Sequence, residues 1–159
     1  MSAKSKPAKQ KVEMKVSVTR VVKAPCQLVY QAWTDPKQLA QWFSPEDAKC
    51  QSVAADVRVG GAHRIHLISQ KDNRDHIAVG EYKQVIPNQL LQFTWHWEHY
   101  HMPDSVITVS FEDLGKTTRV TLVHEGLPDQ EDVEQHGQGW TSLMKKFARL
   151  MAENKIKAR

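Results

Sequence analysis

The chain has 159 residues, of which 40% are hydrophobic and 25% charged, a composition typical of one globular domain. A domain of this length can bury its core without disulfides or metals, and a second domain would not fit. The formal charge of +4 comes from Lys4, Lys6, Lys9 and Lys11, because the 22 Lys and Arg residues less these four equal the 18 Asp and Glu residues. A basic nucleic-acid-binding face on the domain is therefore not expected.

Both ends of the chain have the composition of disordered segments. Residues 1–11 combine lysine with Ala, Ser, Pro and Gln and have no apolar run, which predicts a disordered basic tail rather than a signal peptide. We expect residues 155–159 to be disordered as well. No segment approaches the roughly 20 apolar residues of a membrane span, so we predict a cytoplasmic protein in which Cys26 and Cys50 stay reduced.

The first structured part is predicted to be a strand followed by two short helices. Apolar residues alternate with polar ones over 12–22, the period of a half-buried strand. Pro25 is suited to a helix start, and apolar residues recur at helical spacing up to Thr34. Asp35 and Pro36 then suit the cap and first residue of a second short helix that ends near Ser44.

Six strands and one long helix are predicted to follow. The strand-like runs are separated by turn residues and cover roughly 51–57, 63–70, 76–85, 90–98, 105–112 and 117–124. The final helix starts after Asp129 and repeats apolar residues at Trp140, Leu143, Met144, Phe147, Leu150 and Met151. This order indicates an α+β fold, with the helices on one face of an antiparallel sheet. Because strands twist, we expect the sheet to curl around the helix and to leave a cavity between them.

Several short motifs occur in the same order as these elements. They are Trp42-Phe43, Val59-Gly60-Gly61, Gly80-Glu81-Tyr82, Leu91-Gln92-Phe93-Thr94-Trp95, the strand and turn over 118–127, and Gly139-Trp140. Over residues 12–154 the chain resembles the bacterial relatives of the C-terminal domain of the activator of the heat-shock-protein-90 ATPase. That family belongs to the START-like, or Bet v 1-like, helix-grip superfamily. The resemblance implies a curved antiparallel sheet of six to seven strands around a long C-terminal helix.

The resemblance implies three functions. Members of the superfamily bind lipids, polyketides or aromatic molecules, so the first expectation is a domain that binds an apolar aromatic or lipid-like ligand. A few members cyclise or aromatise polyketides, which makes an enzyme of that kind the first alternative. The namesake stimulates a chaperone, which makes a chaperone accessory or protein-interaction module the second. The namesake also has a separate N-terminal domain that contacts the chaperone. This chain has only an eleven-residue tail at that position.

Eight residues are predicted to line the cavity between sheet and helix. Strand parity places large aromatic side chains on the inner face of one strand, and the apolar stripe of the final helix faces them. The predicted ligand-binding residues are Trp42, Phe43, Trp95, Trp97, His124, Trp140, Met144 and Phe147. Ordinary core packing is the alternative for these aromatic residues. His124 could orient a ligand or transfer a proton, or it could simply bond a backbone carbonyl or Glu125.

The sequence gives little support for a metal site, a catalytic nucleophile or a phosphate-binding site. The cluster from His96 to His101 contains zinc-ligand types, but its spacing in an extended strand does not favour a metal site. A nucleophile elbow and a phosphate-binding loop are both missing from the sequence. We predict no metal, cofactor or catalytic residue, and a binding protein more readily than an enzyme. The expected partners are a hydrophobic small molecule and a possible chaperone, with the chain a monomer or weak homodimer.

Overall fold

A computed structural model describes residues 14–99 and 104–158 and shows the expected α+β architecture, with a curled antiparallel sheet around a long C-terminal helix. The elements in chain order are β1 (Lys15–Val22), α1 (Cys26–Thr34), α2 (Pro36–Trp42), β2 (Ala48–Ala55), β3 (Ala62–Ser69), β4 (Asp75–Ile86), β5 (Leu90–Trp97), β6 (Ser105–Asp113), β7 (Thr118–Glu125) and α3 (Gln130–Ala152). The predicted tail over 1–11 and His101 lie outside the described residues. None of the described helices is both long and apolar enough to cross a membrane.

The seven strands form one sheet in the order β1-β7-β6-β5-β4-β3-β2. All neighbouring strands are antiparallel, and β2 to β7 follow one another as a meander. β1 instead pairs with the last strand, so β1 and β2 form the two edges. α1 and α2 connect these edges directly, and the sheet curls between them.

Aspartate side chains cap the starts of α2 and α3. The Asp35 carboxylate accepts a hydrogen bond from the Lys37 amide at 3.0 Å, and Pro36 is the first residue of α2. Asp129 caps α3 in the same way, because its carboxylate accepts from the Asp132 amide at 2.9 Å. α3 packs mainly against β1 and also contacts α2.

A dense aromatic cluster lies under the two short helices. The ring centroids of Trp42 and Phe147 are 4.3 Å apart, and those of Trp33 and Trp42 are 4.8 Å apart. The indole Nε1–H of Trp42 donates to the carbonyl of Ala32 at 3.0 Å. All of these rings are buried, so this cluster fixes α1 and α2 onto α3.

Two parts of the chain differ from the sequence-based expectation. β2 begins at Ala48 and ends at Ala55, whereas the pattern indicates 51–57, because a bulge between Cys50 and Ser52 breaks the alternation. Beyond α3, Ile156 packs against the core and the Lys157 amide donates to Gln41 Oε1 at 2.7 Å. Residues 155–158 therefore lie against α2, although their composition predicts disorder.

Candidate functional site

The candidate site is a cavity of about 790 Å³ between the N-terminal half of α3 and one end of the sheet. This volume lies in the range of known small-molecule sites. Besides α3, the walls come from the loop after α2, from β2 and from β3 to β5. They consist of Phe43, Pro45, Asp47, Ala48, Leu67, Ser69, His76, Trp95, Trp97, Glu131, Asp132, Gln135, His136, Gln138, Gly139, Trp140, Ser142 and Leu143.

A glycine leaves space in the part of the cavity wall that α3 contributes. Gly139 lines the cavity, and a Cβ built at this position would meet only Pro45 Cγ, at 3.9 Å. Glycine in a helix interior costs about 1 kcal/mol relative to alanine, and packing does not require it here. The missing side chain therefore leaves space beside the loop after α2.

Tryptophan side chains form the inner wall. The ring of Trp95 is 5.3 Å from that of Trp97 and 5.2 Å from that of Trp140, both at steep angles typical of edge-to-face packing. Trp95 is only 1% exposed, whereas Trp97 is partly exposed at the end of β5. The wall therefore runs from the buried interior to the protein surface.

A chain of hydrogen bonds behind this wall holds His124. The indole Nε1–H of Trp140 donates to His124 Nδ1 at 2.9 Å, and His124 Nε2 lies 2.7 Å from Ser105 Oγ. The Ser105 hydroxyl in turn donates to the carbonyl of Trp95 at 2.7 Å. Because an indole can only donate, His124 Nδ1 is an acceptor and the ring proton lies on Nε2. His124 therefore donates to Ser105, and all its polar atoms are satisfied.

This arrangement does not suit His124 for proton transfer. A serine nucleophile must donate its proton to the histidine, but Ser105 accepts from His124 and donates elsewhere. His124 is fully buried, and burial, assisted by the nearby His136 ring, lowers its pKa to about 3. The imidazole is consequently neutral and structural. A structural role inside the core fits this geometry, although the partners of His124 are Trp140 and Ser105 rather than a backbone carbonyl or Glu125.

A second tryptophan–histidine pair lies at the cavity wall itself. The indole Nε1–H of Trp97 donates to His136 Nε2 at 3.0 Å, so the His136 proton lies on Nδ1 and is donated to the carbonyl of Asp132 at 2.8 Å. Burial lowers the pKa of His136. The rings of His124 and His136 are 5.0 Å apart. The two neutral imidazoles thus join β5 and β7 to the N-terminal half of α3.

Two buried polar atoms near the inner wall have no partner within the described residues. The Nε1–H of Trp95 is a free donor. His63 Nε2 lies 2.8 Å from the Thr94 carbonyl and must donate to it, which leaves His63 Nδ1 as a free acceptor. Buried polar groups normally find a partner, so these two atoms are exceptions within the described core.

The mouth of the cavity is acidic. Asp47 and Glu131 are exposed and Asp132 is half-buried, and all three line the cavity. Among the described residues that line it, none is Lys or Arg. In the described part of the chain, no group of three side chains is arranged to bind a metal ion.

The structure brings half of the predicted ligand-binding residues to the cavity. Phe43, Trp95, Trp97 and Trp140 line it. Trp42, His124, Met144 and Phe147 are buried behind its walls and do not. The prediction missed His136, although it lies one turn before Trp140 on the same helix face. Extending the apolar stripe of α3 by four residues would have included it.

A family model matches residues 23–152, and its description is activator of Hsp90 ATPase homolog 1-like protein. The chain belongs to this family. The match covers the domain from the end of β1 to the last residue of α3, and so includes the whole cavity lining. No curated protein matches the chain.

Solved structures with the same fold include three that are informative. A protein from Chromobacterium violaceum is 30% identical, with a TM-score of 0.79 over 86% of this chain and 96% of its own. The AHSA1 protein from Silicibacter pomeroyi is 24% identical, with a TM-score of 0.78 over 88% and 99%. DynU16, from the dynemicin biosynthetic locus, is 24% identical, with a TM-score of 0.74 over 91% of this chain and 49% of its own. The last two likenesses concern the fold alone.

Proposed function

We propose that the protein binds an apolar, ring-containing small molecule in the cavity between α3 and the sheet. The observation that carries this proposal is a cavity of about 790 Å³ with Trp95, Trp97 and Trp140 in its wall. Indole rings provide large apolar surfaces and stack on other rings, so burial of ligand surface supplies most of the affinity. DynU16, which has the same fold, comes from the dynemicin biosynthetic locus, and this origin is compatible with a small-molecule ligand.

The hydrogen bonding inside the site favours binding over catalysis. Both ring nitrogens of His124 and of His136 are engaged, and burial keeps both imidazoles neutral. A cyclase would need a free acid or base close to the ligand. The remaining titratable groups of the lining are His76 and the carboxylates at the mouth. An enzyme that uses those groups is the first alternative, and turnover of a polyketide substrate would establish it.

The proposal is tested by measuring a panel of ligands on the native protein and on a variant whose new side chain fills the cavity. Flavonoids, fatty acids and fused aromatic rings are titrated against the protein, and binding is read from tryptophan fluorescence and from the melting temperature. Gly139→Leu places a side chain into the cavity from α3, where the closest atom to a new Cβ is 3.9 Å away. Gly137→Ala is the matched control, because Gly137 lies on the same helix but does not line the cavity.

We expect at least one ring compound to quench the fluorescence and raise the melting temperature. Gly139→Leu should abolish both effects while Gly137→Ala retains them. Absence of binding across the panel, or equal binding by Gly139→Leu, would contradict the proposal.

The family description favours a chaperone accessory as a second candidate. It predicts that the purified chain changes the ATPase rate of a heat-shock-protein-90 chaperone. The cavity-filling Gly139→Leu variant should act as well as the native chain in that assay, because a surface contact does not need the cavity. An unchanged ATPase rate with the native chain would exclude this candidate.

A further inference from the structure

One hydrogen bond fastens the β5 side of the cavity wall to α3. The Nε1–H of Trp97 donates to His136 Nε2 at 3.0 Å, and both residues line the cavity. His136 Nδ1 lies 2.8 Å from the carbonyl of Asp132, which can only accept, so the ring proton is on Nδ1. The bond to Trp97 therefore depends on a neutral imidazole that offers the lone pair of Nε2.

Protonation of His136 would break this bond. A doubly protonated imidazole has two donors and no acceptor, and an indole has one donor and no acceptor. The new N–H at His136 Nε2 would oppose the N–H of Trp97 across 3.0 Å. Nδ1 can still donate to Asp132, so the imidazole stays on the helix and the indole has to leave. Trp97 is partly exposed at the end of β5, so its indole can reach water when it does.

Titratable groups approach His136 from several elements. The Asp132 carboxylate lies one turn earlier on α3, and the His124 ring reaches His136 from β7 at 5.0 Å. On β4, the ring of His76 lies 6.1 Å from that of Trp97, which is uncharged. Further groups close to this part of α3 or in the same cavity lining are the apolar Val16 of β1 beside Gly137, and the carboxylates of Asp47 and Glu131.

His136 takes up a proton before His124 does. Burial lowers the pKa of both imidazoles, to about 3 for His124. His124 is fully buried, whereas His136 is 8% exposed and the carbonyl and carboxylate of Asp132 partly restore its pKa. Mild acidification therefore breaks the bond from Trp97 while Trp140 keeps its bond to His124. The β5 side of the wall is released, and the link between β7 and α3 holds.

We propose that the Trp97–His136 pair is a gate of the cavity that protons open: when His136 takes up a proton, the indole of Trp97 leaves the wall and the bound molecule is released. This inference rests on the proposed binding function and adds its regulation. A ligand that packs on the Trp97 ring binds the form with the intact hydrogen bond. Ligand binding is thus coupled to the loss of one proton, and the affinity must fall in acid.

The first measurement needs no ligand. Heteronuclear NMR of the whole chain follows the ring nitrogens of His136 and the indole N–H groups of Trp97 and Trp140 between about pH 7.5 and pH 4.5, and circular dichroism checks that the protein stays folded. We expect the Trp97 resonance to move with the same midpoint as the protonation of His136, and the Trp140 resonance to stay. An unmoved Trp97 resonance, or a His136 that stays neutral until the protein unfolds, would overturn the gate.

The second measurement connects the gate to binding. The probe is naphthylethanol, a ring compound that carries no charge throughout this pH range, and its affinity is measured by calorimetry. We expect a constant affinity above about pH 6.5, and a fall of up to about tenfold per pH unit below the pKa of His136, because each binding event displaces one proton. A constant affinity down to about pH 4.5 would contradict the proposal.

Variants assign the effect to one imidazole. In His136→Gln the amide oxygen can accept from Trp97 and does not titrate, so the fall in affinity should disappear. His76→Gln is the matched control, because His76 also lines the cavity and contacts the same indole; the fall should remain. The opposite pattern would assign the titration to another group.

A third variant keeps the gate testable if His136→Gln does not fold. Trp97→Phe removes the opposing donor, so His136 should protonate at a higher pH than in the native chain, as read by NMR. An unchanged midpoint would mean that the two side chains are not coupled.

The outcomes separate the gate from the function on which it rests. If naphthylethanol binds equally well at every pH, the cavity is a binding site and the gate is overturned. If it binds at no pH, the result counts against the binding function and against the release of a ligand, although the NMR titration still shows whether the bond opens.

Discussion

The indole of Trp140 donates to Nδ1 of His124 over 2.9 Å, and this one bond determines where the imidazole proton lies. Trp140 is on α3 and His124 is on β7, so the bond joins the long helix to the sheet. It also directs the hydroxyl of Ser105 toward the Trp95 carbonyl. The histidine most suggestive of chemistry in the sequence is thereby a structural link.

Replacing Trp140 by phenylalanine should destabilise the fold by leaving His124 Nδ1 buried without a donor. The expected loss is about 1–3 kcal/mol beyond the change in packing, measured by urea unfolding. Trp97→Phe removes the equivalent bond to His136, but Trp97 is partly exposed, so water can replace its indole. Trp97→Phe should therefore lower the free energy of unfolding by less than Trp140→Phe does. Equal losses in the two variants would contradict the structural role of the Trp140 bond.

Acidification should destabilise the protein through its buried imidazoles. Burial lowers the pKa of His63, His124 and His136 in the folded state, to about 3 for His124. The unfolded chain binds protons at these histidines below about pH 6.5, while the folded state binds them only at lower pH. The stability that these histidines contribute is therefore complete above about pH 6.5, and it decreases as the pH falls toward their pKa values in the folded state. Each such proton changes the free energy of unfolding by about 1.4 kcal/mol per pH unit.

The pH dependence is measured by urea unfolding between about pH 7.5 and pH 4.5. The slope of the free energy of unfolding against pH reports how many more protons the unfolded chain binds. His124→Asn should lower that number by about one in this pH range. A stability that stays constant down to the acid end, or a slope that His124→Asn leaves unchanged, would show that the imidazoles do not remain neutral in the folded protein.

Gly80→Ala should be strongly destabilising, because β4 and β5 approach closely at this point. A Cβ at Gly80 would lie too close to the Thr94 carbonyl oxygen, at 1.8 Å, and to His63 Nε2, at 2.5 Å. The backbone would have to move, and the bond from His63 to Thr94 would break. We expect a loss of more than about 2 kcal/mol in the free energy of unfolding.

Gly60→Ala is the control for Gly80→Ala. Gly60 has φ +88 and no atom within 4 Å of a built Cβ, so only the backbone conformation opposes the substitution. Its cost should be about 1–2 kcal/mol. A Gly80→Ala protein that is as stable as this control would disprove the close approach.

Gly139→Ala should stabilise the protein. Its new methyl group meets only Pro45 Cγ at 3.9 Å, an ordinary contact, while the helix gains about 0.5–1 kcal/mol. Gly137→Ala should give a similar gain, since its nearest contacts are to Val16 at 3.9 Å. Thermal melts of the two variants check this. A destabilised Gly139→Ala would mean that the helix needs glycine for packing rather than leaving space for a ligand.

Strand parity and helix capping predicted most of the architecture. The inward positions of Trp95 and Trp97 follow from alternation along β5, and the start of α2 follows from Asp35 as its cap. The alternation of inward and outward residues fails in β2. Ala48 and Cys50 occupy even positions on the inner face, whereas Val53 and Ala55 occupy odd positions on it. The bulge between them is stabilised by pairing with β3, a tertiary effect that a local pattern does not reveal.

The polar part of the site was less predictable. The sequence shows Trp97 and His136 as separate residues, 39 positions apart, and their hydrogen bond depends on how α3 crosses the sheet. The same holds for Ser105 and His124 on neighbouring strands. The contacts of Ile156 and Lys157 with the body of the domain could not be predicted either, because the polar composition of residues 155–158 does not reveal them.

The pairing of β1 with β7 has a consequence for synthesis of the protein. Thr19 and Thr121 are hydrogen-bonded across this pair although they are 102 residues apart. Closing so long a loop is entropically costly and slows folding. On the ribosome, β1 has no neighbour in the sheet until β7 has emerged, so the nascent chain must carry an unpaired first strand through most of its translation.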